Sequence, residues 1–289
     1  MTVPVKIAAN IAVVGAGTIG LSWARLFASH GMTVRISDPR PDLAAAVAEL
    51  PGDIRIAASV DEAVRDADVV QESGPEDLEF KKHLFATLVR VAPAHALLLS
   101  SSSAIPSTAF TADIEDAGRI LIGHPFNPPH VLPLVEVVPG ERTSEDSVQA
   151  AVEFYRSAGR TPVVERKEIP GFVGNRLQNA LSREAAYLVE QGVITPSDLD
   201  TVVTSSLGIR WATTGPFLAS HLGGGPGGYR HLMNHIGASM RRIDLGEPSD
   251  DSEPLIEAVE QAYGSAPYAE LTRSRDRRQS AVLSALELN

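Results

Sequence analysis

Apolar residues fall in short, turn-bounded runs through the first half of the chain and at helical spacing through the second. Residues 11–14 (IAVV), 33–38 (TVRISD), 54–57 (IRIA), 67–72 (ADVVQE), 96–103 (ALLLSSSS), 119–124 (RILIGH) and 134–139 (LVEVVP) read as strands. Between them lie stretches patterned as helices: 19–30, 42–50, 61–65, 76–91 and 144–158. Strands alternating with helices predict an α/β unit, a Rossmann-type, doubly wound and mostly parallel sheet. From Pro170–Gly171 onward the pattern is helical, with helices expected over 171–192, from PSDLD, and over 229–240, 253–263 and 269–286. The expectation is a sheet domain over 1–170 and an all-helical domain over 171–289 that caps a crevice and offers a dimer surface.

The first strand runs into NIAVVGAGTIG, residues 10–20, where a tight glycine turn opens a helix. In such a turn Gly15 permits the bend, Gly17 lets backbone approach a pyrophosphate, and Gly20 lets helix and strand pack closely. Thr18 and Ile19, at the helix start, present free N–H groups and the positive end of the helix dipole. The motif alone is weak, but it is followed by a helix closed by Gly31 and a second strand ending in Asp38. An acid there is placed to bind a ribose 2′-hydroxyl, which favours NAD over NADP; Arg40 nearby is the one feature that argues the other way. Ligands of doubly wound sheets lie beyond the carboxyl ends of the strands. Gly15, Asp38, Glu72, Ser100 to Ser103 and His124 all fall at such ends, so they are expected to converge.

Composition narrows the classes. The 289 residues are 44% hydrophobic and 21% charged, which suits a soluble globular protein of one large or two medium domains. No cysteine is present, which excludes a disulfide framework, a thiol nucleophile and a cysteine zinc site. A net charge of −11 argues against nucleic acid and anionic membrane as partners. No apolar run is long enough to span a bilayer and the N-terminus lacks an export signal, so a cytoplasmic location is the expectation. No metal is expected: His231 and His235, four apart, lack a nearby acidic third ligand. The glycines over 223–228 lack the strand and Lys-Ser/Thr of a phosphate loop and read as a turn between helices.

His124 follows a strand directly and precedes the proline-stiffened PFNPP. Glu136 stands in the apolar strand LVEVV, where a buried carboxylate needs a partner; its alternative is an exposed edge-strand side chain. A His–Glu pair fixes the imidazole tautomer and stabilises the imidazolium, as a general base at neutral pH requires.

Together GAGTIG, the serine run ending at Ser103, GHPFNPP, LVEVV and IPGFVGNRLQ resemble the L-3-hydroxyacyl-CoA dehydrogenase superfamily, in particular its L-gulonate 3-dehydrogenase (lambda-crystallin) and carnitine 3-dehydrogenase branch. The resemblance covers nearly the whole chain. It implies a Rossmann domain, a helical dimerisation domain giving a homodimer, and NAD-dependent interconversion of a 3-hydroxy and a 3-oxo group. It implies His124 as base, Glu136 as its orienting carboxylate, Ser103 as hydrogen-bond partner of the reacting oxygen, and Asn175 as a positioner of substrate and histidine. Glu76 and Lys81, in PEDLEFK, match a Glu and Lys that contact the nicotinamide-side ribose, and Ser101 is a further candidate cofactor contact. Read without the family, Glu76 is a helix N-terminal acid and Lys81 a solvated charge.

Only residues 39–53 separate the second and third strands, too short for the helical arm that helps hold coenzyme A in the acyl-CoA enzymes. That departure, with SSLGIRWATTGPF, points to a small, polar, free 3-hydroxy acid. Arg210 is the candidate for its carboxylate, since guanidinium binds carboxylate bidentately. The competing readings are an acyl-CoA or carrier-bound 3-hydroxyacyl dehydrogenase and a non-catalytic, crystallin-like NAD-binding protein.

Overall fold

The computed structural model describes residues 10–287; most of the N-terminal stretch read for an export signal (residues 1–9) lies outside them. The chain divides into two compact units, with the division after Arg176. The first is built on β1 (Asn10–Val14), β2 (Thr33–Ser37), β3 (Ile54–Ile56), β4 (Val69–Glu72), β5 (Leu97–Ser100), β6 (Ile120–Pro125), β7 (Leu134–Pro139) and β8 (Thr161–Val164). Its helices are α1 (Thr18–Ser29), α2 (Leu43–Ala48), α3 (Val60–Val64), α4 (Leu78–Val91), α5 (Ser107–Thr111) and α6 (Glu145–Ser157). The strands form one sheet in the order β3-β2-β1-β4-β5-β6-β7-β8. Every pairing is parallel except β6 with β7. The doubly wound, mostly parallel sheet expected from the alternation is what forms.

Parallel strands covered on both faces should be apolar at every position, because successive side chains point to opposite faces. In β1, Ile11 and Val13 join a core with Trp23, Phe27, Phe154 and Tyr155 of α1 and α6. Ala12 and Val14 join the opposite core with Phe85, Leu88 and Phe110 of α4 and α5. β8 and α5 were not anticipated. β8 is a four-residue strand containing Pro162, and its Val163 and Val164 stay exposed, so it carries no buried-strand signature. Its presence beyond β7 makes β7 an interior strand, which removes the edge-strand reading of Glu136.

The longer helix α7 (Phe172–Glu190) begins in the first unit and runs into the second. The second unit continues with α8 (Pro196–Val202), a π-helical turn over Val203–Leu207, α9 (Gly208–Gly223), α10 (Gly228–Asn234), α11 (Ile236–Met240), α12 (Glu253–Tyr263) and α13 (Tyr268–Glu287). It is helical, as expected, with two local differences. The single helix anticipated over 229–240 is broken at His235, which leaves helical geometry at φ −111° and ψ −93°. α9 bends at Gly215 (φ 66°), ahead of Pro216. The glycines over 223–228 form a short 3-10 turn joining α9 to α10. Among the described residues no helix is long and apolar enough to cross a membrane.

Candidate active site

The glycine turn is built as its residue types require. Gly15 adopts φ +101°, and a Cβ there would stand 2.5 Å from the Ser73 carbonyl oxygen. A Cβ on Gly20 would meet the Gly15 carbonyl oxygen at 1.9 Å, so the first turn of α1 rests directly on the loop. A Cβ on Gly17 would meet nothing within 4 Å. That position borders open space at the start of α1, where no side chain caps the helix. An anion approaching there finds unpaired N–H groups. These features fit a dinucleotide pyrophosphate.

Asp38 follows β2 and accepts Ala16 N–H at 2.6 Å and Arg40 N–H at 2.8 Å, so it also braces the turn. The Arg40 guanidinium is committed: it forms a forked pair with Asp42 at 2.7 and 2.8 Å and donates to the Ala16 carbonyl at 2.8 Å. A guanidinium paired in this way is a weaker partner for a 2′-phosphate, which accords with NAD.

His124 and Glu136 face each other directly in the antiparallel β6–β7 register. Opposed residues of such a pair share one face, and here both are buried, at 5% and 3% exposure. His124 Nδ1 and Glu136 Oε2 are 2.7 Å apart. Glu136 Oε1 accepts the Gly174 N–H at 2.7 Å. Burial alone would raise the Glu136 pKa, but the His124 hydrogen bond, the Gly174 N–H and the imidazole charge hold it below the usual carboxylate value. With Nδ1 tied to the acid, Nε2 is the nitrogen that can meet a hydroxyl. The rings of Phe126 and Phe172 flank the imidazole, each centroid 5.5 Å away. Phe172 sits at φ 49°, a left-handed conformation uncommon for a bulky residue and costing about 1–3 kcal/mol.

α7 joins this pair to the serine loop. Gly174 reaches Glu136, and the next residue, Asn175, donates from Nδ2 to the Ser103 carbonyl at 2.9 Å. Ser103, His124, Glu136 and Asn175 are therefore brought together. The loop itself is shaped by Glu76, whose Oε1 accepts the Ser102 hydroxyl and the N–H groups of Ser103, Ala104 and Ile105. Burial opposes its ionisation, but these donors and Lys81 hold its pKa below the usual carboxylate value.

Lys81 is not a solvated charge. It is 1% exposed, and Nζ lies 3.0 and 2.9 Å from the two oxygens of buried Glu72 and 3.8 Å from Glu76. Ser101 lies in a half-buried network: its hydroxyl accepts from Trp23 Nε1 and Gln71 Nε2 and pairs with the Ser73 hydroxyl. Arg210 lies in the second unit, lining a cavity of about 540 Å³ with Trp211, Tyr229 and Arg241. His231 and His235 meet edge to face at 4.2 Å, and no group of three metal-ligating side chains occurs among the described residues.

Glu165, Phe126 and Phe172 escaped the sequence reading. Phe126 and Phe172 lie inside the GHPFNPP and IPGFVGNRLQ motifs but carry no reactive group. Glu165 follows a strand that was itself not recognised.

A doubly wound sheet with this turn after β1 and a buried His–Glu pair defines a dinucleotide-dependent dehydrogenase. Residues 10–50 and 43–169 match the 3-hydroxyacyl-CoA dehydrogenase NAD binding domain, and residues 171–247 match the C-terminal domain of 3-hydroxyacyl-CoA dehydrogenase. A 3-hydroxyacyl-CoA dehydrogenase of Gibberella moniliformis is 40% identical, over 92% of this chain and 91% of its own. An L-carnitine dehydrogenase of Pseudomonas aeruginosa is 39% identical, over 96% of this chain and 94% of its own. The solved structure of 5-formyl-3-hydroxy-2-methylpyridine 4-carboxylic acid 5-dehydrogenase, an NAD+-dependent dismutase, superposes with a TM-score of 0.82 at 31% identity, covering 96% of this chain and 98% of that one. The chain belongs to the 3-hydroxyacyl-CoA dehydrogenase family, and its cofactor is NAD.

Proposed function

We propose that this protein interconverts a 3-hydroxy and a 3-oxo group on a small, polar, free 3-hydroxy acid of the L-gulonate or L-carnitine kind. The observation that carries the chemistry is the buried cross-strand His124–Glu136 pair, tied through α7 to Ser103. Residues 1–170 are the NAD-binding domain and 171–289 the helical substrate and dimerisation domain of a cytoplasmic homodimer.

Gly15, Gly17, Thr18, Ile19 and Gly20 would cradle the pyrophosphate and Asp38 the ribose, while Glu76 and Lys81 hold the loop on the nicotinamide side. NAD held there would supply the acceptor for the hydride of C3. His124 takes the hydroxyl proton at Nε2, and Glu136 stabilises the resulting imidazolium through Nδ1–H. In the reverse direction the imidazolium returns the proton. The Ser103 hydroxyl and the Asn175 amide hold the reacting oxygen so that proton and hydride leave along productive paths. Arg210 meets the substrate carboxylate.

The free-acid reading rests on the L-carnitine dehydrogenases among the relatives and on the β2–β3 connection, which holds only the six-residue α2. The acyl-CoA reading is favoured by the Gibberella moniliformis relative. NADH absorbance with gulonate, carnitine, 3-hydroxybutyrate and 3-hydroxybutyryl-CoA separates them. Turnover of a free acid is expected, and clear preference for the thioester overturns the free-acid reading. His124→Gln should abolish turnover while leaving NADH binding intact; unchanged activity removes the mechanism.

A further inference from the structure

Behind the His124–Glu136 pair lies a second buried carboxyl that the mechanism above does not use. Glu165 follows β8, is 7% exposed, and is fixed through its backbone N–H to the Val137 carbonyl at 3.0 Å. Its Oε1 accepts the Val173 N–H at 2.8 Å, one residue before the N–H that Glu136 accepts. The first turn of α7 thus seats two buried carboxyl groups on adjacent backbone N–H groups, so that each lies in the field of the other.

Two carboxylates buried this close together disfavour each other's charge, so one of them keeps its proton. Glu136 already receives donors on both oxygens, His124 on Oε2 and Gly174 on Oε1, which makes it the better anion. Glu165 receives one backbone donor and sits in a low-dielectric pocket. The proton therefore belongs to Glu165, which donates it to Glu136. Its pKa is raised in keeping with this, first by burial and then by the hydrogen bond and charge of Glu136; the Val173 N–H and the more distant His124 charge oppose the rise. Glu136 and His124 are the titratable groups acting on it.

We propose that protonated Glu165 is a positioning residue that sets the basicity of His124, by drawing part of the Glu136 charge away from the imidazole. The inference rests on the proposed role of His124 as base. While Glu165 keeps its proton, Glu136 divides its charge among three donors and holds the imidazolium less tightly. Once Glu165 ionises, the donor is lost and a second anion stands beside the pair, so His124 binds its own proton more tightly. The local pH response of the base is thereby written into a residue that does not touch substrate.

Two variants separate this role from packing. Glu165→Gln keeps an uncharged donor toward Glu136 and cannot ionise. Glu165→Val removes the donor at similar bulk. The His124 ring titration, followed by nitrogen NMR on histidine-labelled enzyme and assigned by its loss in His124→Gln, needs no substrate. The midpoint in Glu165→Val is expected to rise by about half a pH unit or more, while Glu165→Gln keeps the wild-type midpoint and lacks the second inflection expected in wild type where Glu165 ionises. If Glu165→Val does not fold, the lost inflection in Glu165→Gln decides alone. The acid limb of kcat/KM for alcohol oxidation should move with the NMR midpoint. Equal midpoints in all folded forms, with the second inflection retained in Glu165→Gln, overturn the inference. Shifted midpoints without turnover of any 3-hydroxy compound leave it standing and sink the functional reading instead.

Discussion

An imidazole serves as a directional base only when one nitrogen is spoken for and the ring cannot rotate. Glu136 fixes Nδ1, and Phe126 and Phe172 fix the plane. Gly174 is where these constraints meet: its N–H holds Glu136, and a Cβ there would stand 2.3 Å from Phe126 Cζ and 3.4 Å from Glu136 Oε1. Gly174→Ala must swing Phe126 aside or lift α7 from Glu136, an overpacking change worth about 1–3 kcal/mol. Its kcat is expected to fall roughly ten- to a hundredfold, with NADH affinity unchanged because the glycine turn lies elsewhere. Steady-state kinetics beside NADH titration checks this, and equal kcat would show that the ring needs no such clamp. His124 and Glu136 were legible because each carries reactive chemistry and both sit on neighbouring, strongly apolar strands. Phe126, Phe172 and Glu165 were not, since their roles arise from contacts made by the strand β8 and the bend into α7.

Strand ends do the gathering at the next scale. β1, β2, β4, β5 and β6 run parallel, so Gly15, Asp38, Glu72, Ser100 and His124 arrive on one side of the sheet, as the alternation of elements foretold. α4 is pinned there by Lys81, whose buried pairing with Glu72 joins helix to strand. Removing one partner of a buried pair leaves the other charge uncompensated, at a cost of about 3–5 kcal/mol. Lys81→Met should therefore lower the denaturant midpoint strongly in the absence of any nucleotide. A residue that acted only on the cofactor ribose would raise the NAD Kd and leave that midpoint where it was. The family resemblance singled out Lys81, whereas charge and spacing read it as solvated and could not reveal its burial, because its partner lies on a different element. Long apolar strands and helices were readable for the opposite reason: their pattern reports a local period. β8, with one proline and an exposed apolar face, has no clean period to report, and the break at His235 between α10 and α11 leaves no mark on the helical pattern over 229–240.

For the whole molecule, the contrast between the two units decides the argument. The first has two apolar layers with fully buried Trp23, Phe27, Phe85, Leu88 and Tyr155. Among the described residues of the second, the only buried ones are Gly224, Gly228 and Gly237. Phe217 and Tyr268 remain 77% and 80% exposed, and Leu177, Val193, Ile209, Ile236 and Leu245 are exposed as well. Helical periodicity foretold these helices, yet it names only the apolar face and not what covers it. A unit of this size needs a covered core to hold its helices, and exposed large apolar side chains in this number point to an interaction site. The proposed homodimer supplies the cover as a second copy of the same surface. Association that stabilises the folded form makes the thermal midpoint depend on protein concentration. Sedimentation should accordingly give twice the chain mass, and the midpoint should climb as the protein is concentrated. Phe217→Glu, placing a charge on the apolar face of α9, is expected to lower the midpoint and weaken association while NADH still binds the first unit. A species of single-chain mass with a concentration-independent midpoint would refute the dimer, and would require the second unit to hold its helices without the cover that its composition demands.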